Sequence, residues 1–245
     1  MNLYKATVLA FIALLSFSCQ KDKDIQPEAH VLPTASIAPK TKDTLKLFVP
    51  FAATKQDFSN AEKAFKNSIV SDTQAIRKIN GEIILPLSPN KPPIVFKDTH
   101  PENDDEAVEY NYTGHINNPD LYLAEGSFWE WHETYLINRT TGNTDTLWST
   151  PVFSPDRKMM VNLSPGYGLE GDPNGFQAWQ VHTNNGNATI NKLKEVDQQE
   201  WIPLNVFWED NRTLIFKAVT VDVFMAANGE PKDKDFYYFR VKVSR

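Results

Sequence analysis

The residues that could support acid–base, nucleophilic or metal chemistry are scattered along this sequence of 245 residues. Five histidines are present: His30, His100, His115, His132 and His182. None shows the spacing of a zinc site, since His132-Glu133 begins the His-Glu-x-x-His pattern of a metalloprotease but lacks the second histidine. A Gly-x-Ser-x-Gly elbow, a phosphate loop and a dinucleotide fingerprint are also absent from the sequence. We therefore predict no catalytic, cofactor-binding or metal-binding residues.

Carboxylates are plentiful, but the sequence alone does not place two of them across a substrate. The chain has 31 Asp and Glu residues against 25 Lys and Arg residues, a formal net charge of −6. The acidic stretch at residues 100–106 lacks the alternating ligands and the glycine of an EF-hand loop, so we interpret it as a solvated loop and not as a calcium site. Because basic clusters are missing, the composition argues against a nucleic-acid partner.

Two stretches supply candidates for contacts with a ligand. In Phe128-Trp129-Glu130-Trp131-His132, a strand would place both indoles on one face. Indole pairs can stack on sugars or dock peptides, but they also fill β cores, and we favour the core. Residues 165–175 form a long glycine-rich segment, and such loops often carry binding on a rigid β scaffold. The ligand-binding candidates are Trp129, Trp131, Tyr167, Asp172 and Asn174.

The elements that must position these residues are predicted to be β-strands. From residue 82 onward, short segments rich in β-branched and aromatic residues alternate with turn residues. The segment FYYFRVKV shows the period-two pattern, with one face formed by Phe239, Val241 and Val243 and the other by Tyr238, Arg240 and Lys242. Strands at intervals of about ten residues predict an all-β, predominantly antiparallel domain over residues 44–245.

One N-terminal amphipathic helix is predicted ahead of the strands, near residues 59–79. Ser59 and Glu62 fit a capping box, in which each side chain satisfies a free backbone N–H group of the other residue. Apolar residues then recur at helical spacing, and Asn80-Gly81 supplies a stop. These apolar residues are Phe58, Ala61, Phe65, Ile69, Ile76 and Ile79. Because the polar face mixes both charge signs, we expect the helix to pack on its own domain and not on a partner or a membrane.

The N-terminal residues have the parts of a secretory signal: Lys5, an uncharged run over residues 6–17, and then small residues. The run is too short to span a membrane, which takes about 20 apolar residues. Leu15-Ser16-Phe17-Ser18-Cys19 resembles a bacterial lipoprotein signal, and Cys19 is the only cysteine of the sequence. The resemblance implies that residues 1–18 are removed and that a lipid on Cys19 anchors the chain in the outer membrane of the cell envelope. An ordinary cleaved signal with an incidental cysteine is the alternative.

The segment that follows Cys19, Gln20-Lys21-Asp22-Lys23-Asp24, resembles the charged export signal of surface lipoproteins in Bacteroidetes. The resemblance implies exposure at the cell surface, and a solvated tether of ordinary composition is the alternative. Residues 20–43 carry charges and prolines with almost no large apolar residues, which predicts a disordered tether. With the lipid on Cys19 that the resemblance implies, residues 19–43 would be a lipidated N-terminus followed by this tether.

One stretch resembles a known repeat. YLINRTTGNTDTLWSTPVFSPDRKMMVNL, residues 135–163, resembles a blade of the TolB-like and WD40-like (PD40-type) β-propellers, in which Ser154-Pro155-Asp156 forms a tight hairpin turn. Arg157 stands where that family commonly has glycine. A fainter copy follows, so blade-like repeats are expected around residues 133–164 and 175–219. The resemblance implies propeller-like or partial-propeller sheets, and an open sandwich of blade-like sheets is the alternative.

Together these features predict a membrane-anchored envelope lipoprotein. Its β-rich domain is expected to act as a binding or scaffold module for a protein or glycan ligand whose identity the sequence leaves open. The alternative is a carboxylate-dependent hydrolase that acts on glycans or peptides at the cell surface. Two acids that converge with aromatic residues in one pocket would distinguish the hydrolase from the binding module.

Overall fold

Antiparallel strand pairs dominate the fold, because short alternating segments separated by turn residues pair readily with their neighbours in sequence. The structure is a computed structural model that describes residues 48–100, 106–167, 173–184 and 187–243. The signal peptide, Cys19, the tether at residues 20–43 and most of the acidic stretch lie outside the described residues.

The described residues form fourteen strands and two α-helices. The strands are β1 (Phe48–Ala53), β2 (Glu82–Leu85), β3 (Ile94–Lys97), β4 (Val108–Asn117), β5 (Asp120–Phe128), β6 (His132–Asn138), β7 (Thr144–Leu147), β8 (Val152–Phe153), β9 (Met159–Ser164), β10 (Gly175–Asn184), β11 (Asn187–Asp197), β12 (Trp201–Trp208), β13 (Thr213–Thr220) and β14 (Tyr237–Val243). The helices are α1 (Lys55–Ala64) and α2 (Val221–Ala226), and a 3₁₀ turn lies at Asp233–Asp235.

These strands form three four-stranded sheets and one two-stranded hairpin. The hairpin is β2–β3, the first meander is β4–β7 in chain order, and the second meander is β8–β11 in chain order. The terminal sheet has the order β1-β14-β13-β12, so the first strand of the described chain lies beside the last. Every strand pairing in these sheets is antiparallel. The prediction of an all-β, predominantly antiparallel domain is confirmed.

Hydrophobic clusters stack the four sheets in a row. The hairpin packs on the first meander through a cluster that contains Ile83, and the first meander packs on the second through Leu123 and Met160. The second meander packs on the terminal sheet through Val161 and Phe216. Met160 and Val161 are adjacent on β9, and they pack against the two different sheets that lie on either side of the second meander, because successive side chains of a strand point to opposite faces. None of these clusters of described residues joins the terminal sheet to the hairpin, so the packing shows a row of sheets and does not show a closed propeller.

The two blade-like repeats each extend across two sheets. Residues 133–164 contain β6 and β7 of the first meander followed by β8 and β9 of the second, and residues 175–219 contain β10 and β11 followed by β12 and β13 of the terminal sheet. Residues 134–137 of β6 pair with residues 144–147 of β7, as consecutive strands of a blade do. Met159, Val161 and Leu163 all face the terminal sheet, as their alternation predicts.

The first hairpin turns of the three large sheets contact one another along the row. Arg157, between β8 and β9, donates from Nη1 to the carbonyl oxygen of Asn118, between β4 and β5, at 2.8 Å. The backbone N–H of Asp156 donates to Oδ1 of Asn211, between β12 and β13, at 2.9 Å. These two bonds link equivalent turns and fix the relative placement of the sheets.

The turn at residues 154–157 forms as the sequence predicts. The N–H of Arg157 donates to the carbonyl oxygen of Ser154 at 2.8 Å, and the Ser154 hydroxyl accepts from the N–H of Met159 at 3.1 Å. Arg157 has a φ of +56°, in the left-handed region that glycine adopts without steric cost. The chain therefore keeps the positive φ although arginine stands where the resembling family commonly has glycine.

Helix α1 starts earlier and is shorter than the predicted helix near residues 59–79. Its N-cap is Thr54, which forms the capping box with Asp57, so Ser59 does not cap a helix. Phe58 and Ala61 are buried in a cluster with residues of the terminal sheet, including Ile215. The helix packs on its own domain, as expected, at the end of the row opposite the hairpin.

The prediction that the helix continues to residue 79 is wrong. α1 ends at Ala64, and the backbone of the next residue is extended. Further along, Val70 pairs with His115 of β4, and Asn80-Gly81 forms a turn with φ values of +51° and +76°. Of the apolar residues at helical spacing beyond α1, Ile79 pairs with Glu82, and Ile69 and Ile76 pack against the clusters of the first meander.

Helix α2 follows β13 directly, although the β-branched and aromatic residues of positions 213–224 are typical of one continuous strand. Thr220 ends the strand and caps the helix, since its Oγ1 accepts from the N–H of Val223 at 3.4 Å. Threonine favours both strands and N-caps, so the alternation alone does not show where the strand ends. Neither α-helix among the described residues is long and apolar enough to cross a membrane.

Candidate functional site

A cleft of about 810 Å³ opens between the first and second meanders. One wall comes from residues 130–133 at the start of β6 and from residues 146–149 at the end of β7. The other wall comes from residues 163–167 at the end of β9, with Gln177 on β10 and Lys192 and Glu195 on β11. Small-molecule sites commonly measure about 300–1,000 Å³, so this cleft has the size of a ligand site.

The structure brings two of the five ligand-binding candidates together. Trp131 and Tyr167 both line the cleft. Trp129 is exposed but is not among the described residues that line it. Asn174 is fully buried, and Asp172 lies outside the described residues.

Trp129 and Trp131 lie in a turn and not in a strand, and the interpretation that they fill the core is wrong. The N–H of Phe128 donates to the carbonyl oxygen of Trp131 at 2.9 Å, which closes a tight turn between β5 and β6. The two indoles are therefore 61% and 48% exposed, respectively. Trp131 stacks on Phe128 with ring centroids 4.7 Å apart and ring planes 6° apart. Phe128 therefore supports one face of the indole, and Trp131 lines the cleft.

Tyr167 is supported in the same way on the other wall. Its ring stacks on Phe224 of α2 with centroids 5.4 Å apart and an interplanar angle of 26°, and the side chain is 45% exposed. Both exposed rings of the cleft are thus held by a second aromatic ring behind them. A side chain that is already ordered loses less conformational entropy when a ligand binds.

Two buried amide side chains lie where the second meander borders the cleft, and sequence reasoning missed both. Asn162 on β9 lies opposite Gln177 on β10, and their exposed fractions are 1% and 2%. Asn162 follows Met160 by two residues on β9, and Gln177 precedes Trp179 by two residues on β10. Both of these apolar residues pack against the first meander. The face therefore changes from apolar to polar along the strands. In each strand the alternation places this polar residue on the same face as buried apolar residues, and that pattern could have identified Asn162 and Gln177 from the sequence.

These amides satisfy the backbone that connects the two meanders. The N–H of Trp148 donates to Oδ1 of Asn162 at 3.2 Å and to Oε1 of Gln177 at 3.3 Å. The Ser149 hydroxyl donates to the carbonyl oxygen of Leu163 at 2.7 Å and accepts from the N–H of the same residue at 3.2 Å. Side chains thus satisfy these backbone groups in the cleft wall. Among the described residues, Nδ2 of Asn162 has no hydrogen-bond partner.

Glu195 is held in its ionised form at the rim of the cleft. Burial, the largest influence, raises the pKa of this carboxyl, but hydrogen bonds from Lys192 and Gln177 outweigh it and hold the pKa below its usual value. The bonds are 2.7 Å and 2.8 Å long and both end on Oε2, which leaves Oε1 available to a ligand. A general acid needs a raised pKa, so the shift of Glu195 has the wrong direction for that role.

The charges of the lining are mostly negative. Glu130, Glu133 and Glu195 line the cleft together with one lysine, Lys192. Glu133 accepts a hydrogen bond from the Tyr135 hydroxyl at 2.7 Å, and burial together with this carboxylate raises the pKa of Tyr135. An anionic ligand would meet this excess of negative charge, whereas a neutral ligand would not be repelled.

Asn174 has a structural role at the start of β10. Its backbone N–H donates to Oδ1 of Asp197 at 2.9 Å, and its Nδ2 donates to the carbonyl oxygens of Gln198 and Trp201, each at 2.8 Å. The residue therefore ties the end of the glycine-rich segment to the connection between β11 and β12, and its side chain is not exposed at the cleft.

No metal site is found in the part of the chain that the structure describes, where no group of three or more His, Cys, Asp or Glu residues could hold an ion.

Comparisons of the chain with models of protein families, with curated proteins and with solved structures gave no match. The cleft, its paired rings and its buried amides are therefore the observations from which a function is argued.

Proposed function

We propose that this chain is an envelope lipoprotein, anchored through Cys19, whose β-rich domain is a binding module with the cleft as its ligand site. The observation that carries the binding role is the pair of exposed rings, Trp131 and Tyr167, on facing walls of one cleft. Large aromatic side chains in clefts supply much of the free energy of binding in known interfaces.

Exposed aromatic rings gain free energy when a ligand covers them. Burial of apolar surface is worth roughly 25 cal/mol per Å², and stacking of an aromatic pair adds about 0.5–1.5 kcal/mol. Phe128 and Phe224 hold the two rings in place before a ligand arrives, so little of this gain is lost to ordering. The cleft is thus preorganised for a ligand with flat apolar faces.

Acids and aromatic residues converge in this cleft, where Glu130, Glu133 and Glu195 line the same space as Trp131 and Tyr167, so a carboxylate-dependent hydrolase is the second candidate function. The pKa of Glu195 favours binding without turnover. Glu195 accepts two hydrogen bonds that hold its pKa down, and an ionised carboxylate of this kind binds donors well but does not protonate a leaving group. The hydrolase alternative would need a carboxyl with a raised pKa in the cleft.

The anchor is tested by replacing Cys19. The Cys19→Ala chain should move from the membrane fraction to the soluble fraction, because lipid attachment at the thiol is what holds the chain at the bilayer. A Gln20→Ala chain, which keeps the cysteine, serves as the matched control and should stay with the membrane. Retention of the Cys19→Ala chain in the membrane fraction, with no acyl group on the wild-type chain by mass spectrometry, would overturn the anchor.

The binding role is tested with the full chain in detergent on arrays of glycans and peptides, beside a panel of hydrolase substrates. We expect binding that Trp131→Ala abolishes and that Trp129→Ala leaves intact, because the two tryptophans are equally near the turn but only Trp131 lines the cleft. Turnover of a panel substrate that Glu195→Gln abolishes would replace the binding module with a hydrolase.

A further inference from the structure

We infer that the cleft binds a neutral carbohydrate, recognised by stacking on Trp131 and Tyr167 and by hydrogen bonds to its buried polar groups. This inference rests on the proposed function, because it assigns a ligand class to the same cleft. Three features of the cleft lead to it: the paired rings, the side chains available for hydrogen bonding, and the charge of the lining.

The rings offer flat apolar surfaces with fixed orientation. Trp131 is covered on one face by Phe128, and Tyr167 is covered by Phe224. Both residues line a cleft of about 810 Å³, which is large enough for a ligand of several linked rings. The C–H face of a pyranose ring is flat and apolar and has the dimensions of an aromatic ring, so it fits such a surface.

The polar groups of the cleft region suit hydroxyl groups, which both donate and accept. Glu195 has Oε1 available as an acceptor, because its two bonds end on Oε2. Asn162 lies opposite Gln177 of the cleft wall, is itself buried behind the lining, and has an Nδ2 donor without a partner among the described residues. A buried donor without a partner costs free energy, and a water that joins it to a ligand hydroxyl would remove that cost.

An extended peptide is a poorer fit for this cleft. Peptides commonly bind by adding a strand to the free edge of a sheet, where backbone N–H and carbonyl groups are open. Here the N–H of Trp148 is already bonded to Asn162 and Gln177, and both backbone groups of Leu163 are bonded to the Ser149 hydroxyl. The wall therefore presents side chains to a ligand at these positions, and hydroxyl groups are what such side chains bind.

The charge of the lining selects among carbohydrates. Glu130, Glu133 and Glu195 outnumber the single cation, Lys192, which is already paired with Glu195 at 2.7 Å. Sulfated or uronic-acid sugars would place like charge beside these carboxylates, which is unfavourable. Neutral sugars avoid this repulsion.

The test uses the full chain in detergent and an array of short gluco-, manno-, xylo- and N-acetylglucosamine oligomers, their sulfated and uronic-acid counterparts, and unrelated peptides. Hits are then titrated by calorimetry. We expect neutral oligomers to bind and Trp131→Ala and Tyr167→Ala each to weaken binding by about tenfold or more, the factor that corresponds to 1.4 kcal/mol. Glu195→Gln should weaken binding while the fold is kept, as judged by circular dichroism, and Trp129→Ala is the matched control that should bind like the wild type.

The outcomes separate this inference from the proposed function. Binding of peptides or anionic sugars alone, with the same dependence on Trp131, would overturn the neutral carbohydrate and keep the binding module. Binding of neutral sugars that is indifferent to Trp131 and Tyr167 would overturn the cleft as the site. Absence of binding to every probe would overturn both proposals.

Discussion

Gly175 provides the sharpest test of how the second meander is built beside the cleft. It begins β10 with a φ of +153°, and it lies opposite Ser164 of β9 and Asp197 of β11. A Cβ atom built on Gly175 would collide with the carbonyl oxygen of Val196 and lie 2.9 Å from its carbonyl carbon. Both atoms belong to the backbone of the neighbouring strand, so no side-chain rotation can relieve the collision. We therefore expect Gly175→Ala to be strongly destabilising.

The magnitude follows from two costs. A non-glycine residue in a sparsely populated region of φ and ψ costs about 1–3 kcal/mol, and displacing the Val196 backbone would break one or two ladder hydrogen bonds at about 0.5–1.5 kcal/mol each. The sum is about 1.5–6 kcal/mol, a large part of the 5–15 kcal/mol by which typical domains are stable. Gly229→Ala is the matched control, because Gly229 also has a positive φ, +82°, but its Cβ would meet only Phe224 at an ordinary 3.6 Å.

The two variants are compared by urea unfolding followed through tryptophan fluorescence. Gly229→Ala should lower the free energy of unfolding by about 1–2 kcal/mol, the cost of a left-handed conformation, and Gly175→Ala should lower it by clearly more. Failure of Gly175→Ala to accumulate as folded protein, with Gly229→Ala folded, is the extreme form of the same result. Equal midpoints for the two variants would refute the argument from the collision.

Two further predictions concern buried polar contacts. Burial raises the pKa of Asp98, but hydrogen bonds from Lys78 and from the N–H of Tyr110 outweigh it and hold the pKa below its usual value. This stabilisation is therefore complete above the unfolded pKa of about 3.9 and is lost as the pH falls through the folded pKa. Asp98→Asn should cost about 1.5–3 kcal/mol near neutral pH and progressively less in acid. Asp233→Asn should show a much smaller pH-dependent gap in urea unfolding, because the hydrogen bond from Lys55 that lowers the pKa of Asp233 lies at an exposed ion pair, where solvent screens the charges. Trp208→Phe removes the indole N–H that donates to a carbonyl oxygen of β8 at 2.9 Å, and it should lower the unfolding free energy by about 1–3 kcal/mol; an unchanged urea midpoint would contradict that role.

The strands and their pairings could be predicted because their information is local. A period of two fixes which side chains share a face, and the turn residues fix where a strand reverses. Met159 and Val161 face one neighbour and Met160 the other for this reason, and the turn at residues 154–157 follows from its own serine, proline and aspartate. These features need no knowledge of distant parts of the chain.

The end of the helix and the exposure of the two tryptophans could not be predicted, because both depend on which backbone groups form hydrogen bonds. Ile79 fits a helical pattern, but its backbone bonds to Glu82 across a two-residue turn. Trp129 and Trp131 alternate like strand residues, but the backbone hydrogen bond from the N–H of Phe128 to the carbonyl oxygen of Trp131 closes a turn, and both indole side chains are exposed. A pattern of apolar side chains does not specify which backbone groups form hydrogen bonds with each other. These backbone hydrogen bonds determine the local structure in both cases.

The cleft itself follows from a difference between the two faces of the second meander. The face toward the terminal sheet stays apolar along its length, with Met159, Val161 and Phe176 in one cluster. The face toward the first meander is apolar at Met160 and turns polar at Asn162 and across from it on β10. Buried amides at core positions cost stability unless they are bonded, so a sequence selected for stability alone would continue the apolar pattern and close the two meanders together. Here the polar half bonds to the connection between the meanders at Trp148 instead, on strands whose other face packs on the terminal sheet. Binding groups held on such rigid elements keep their geometry without a ligand, which supports the proposal that the cleft is the ligand site.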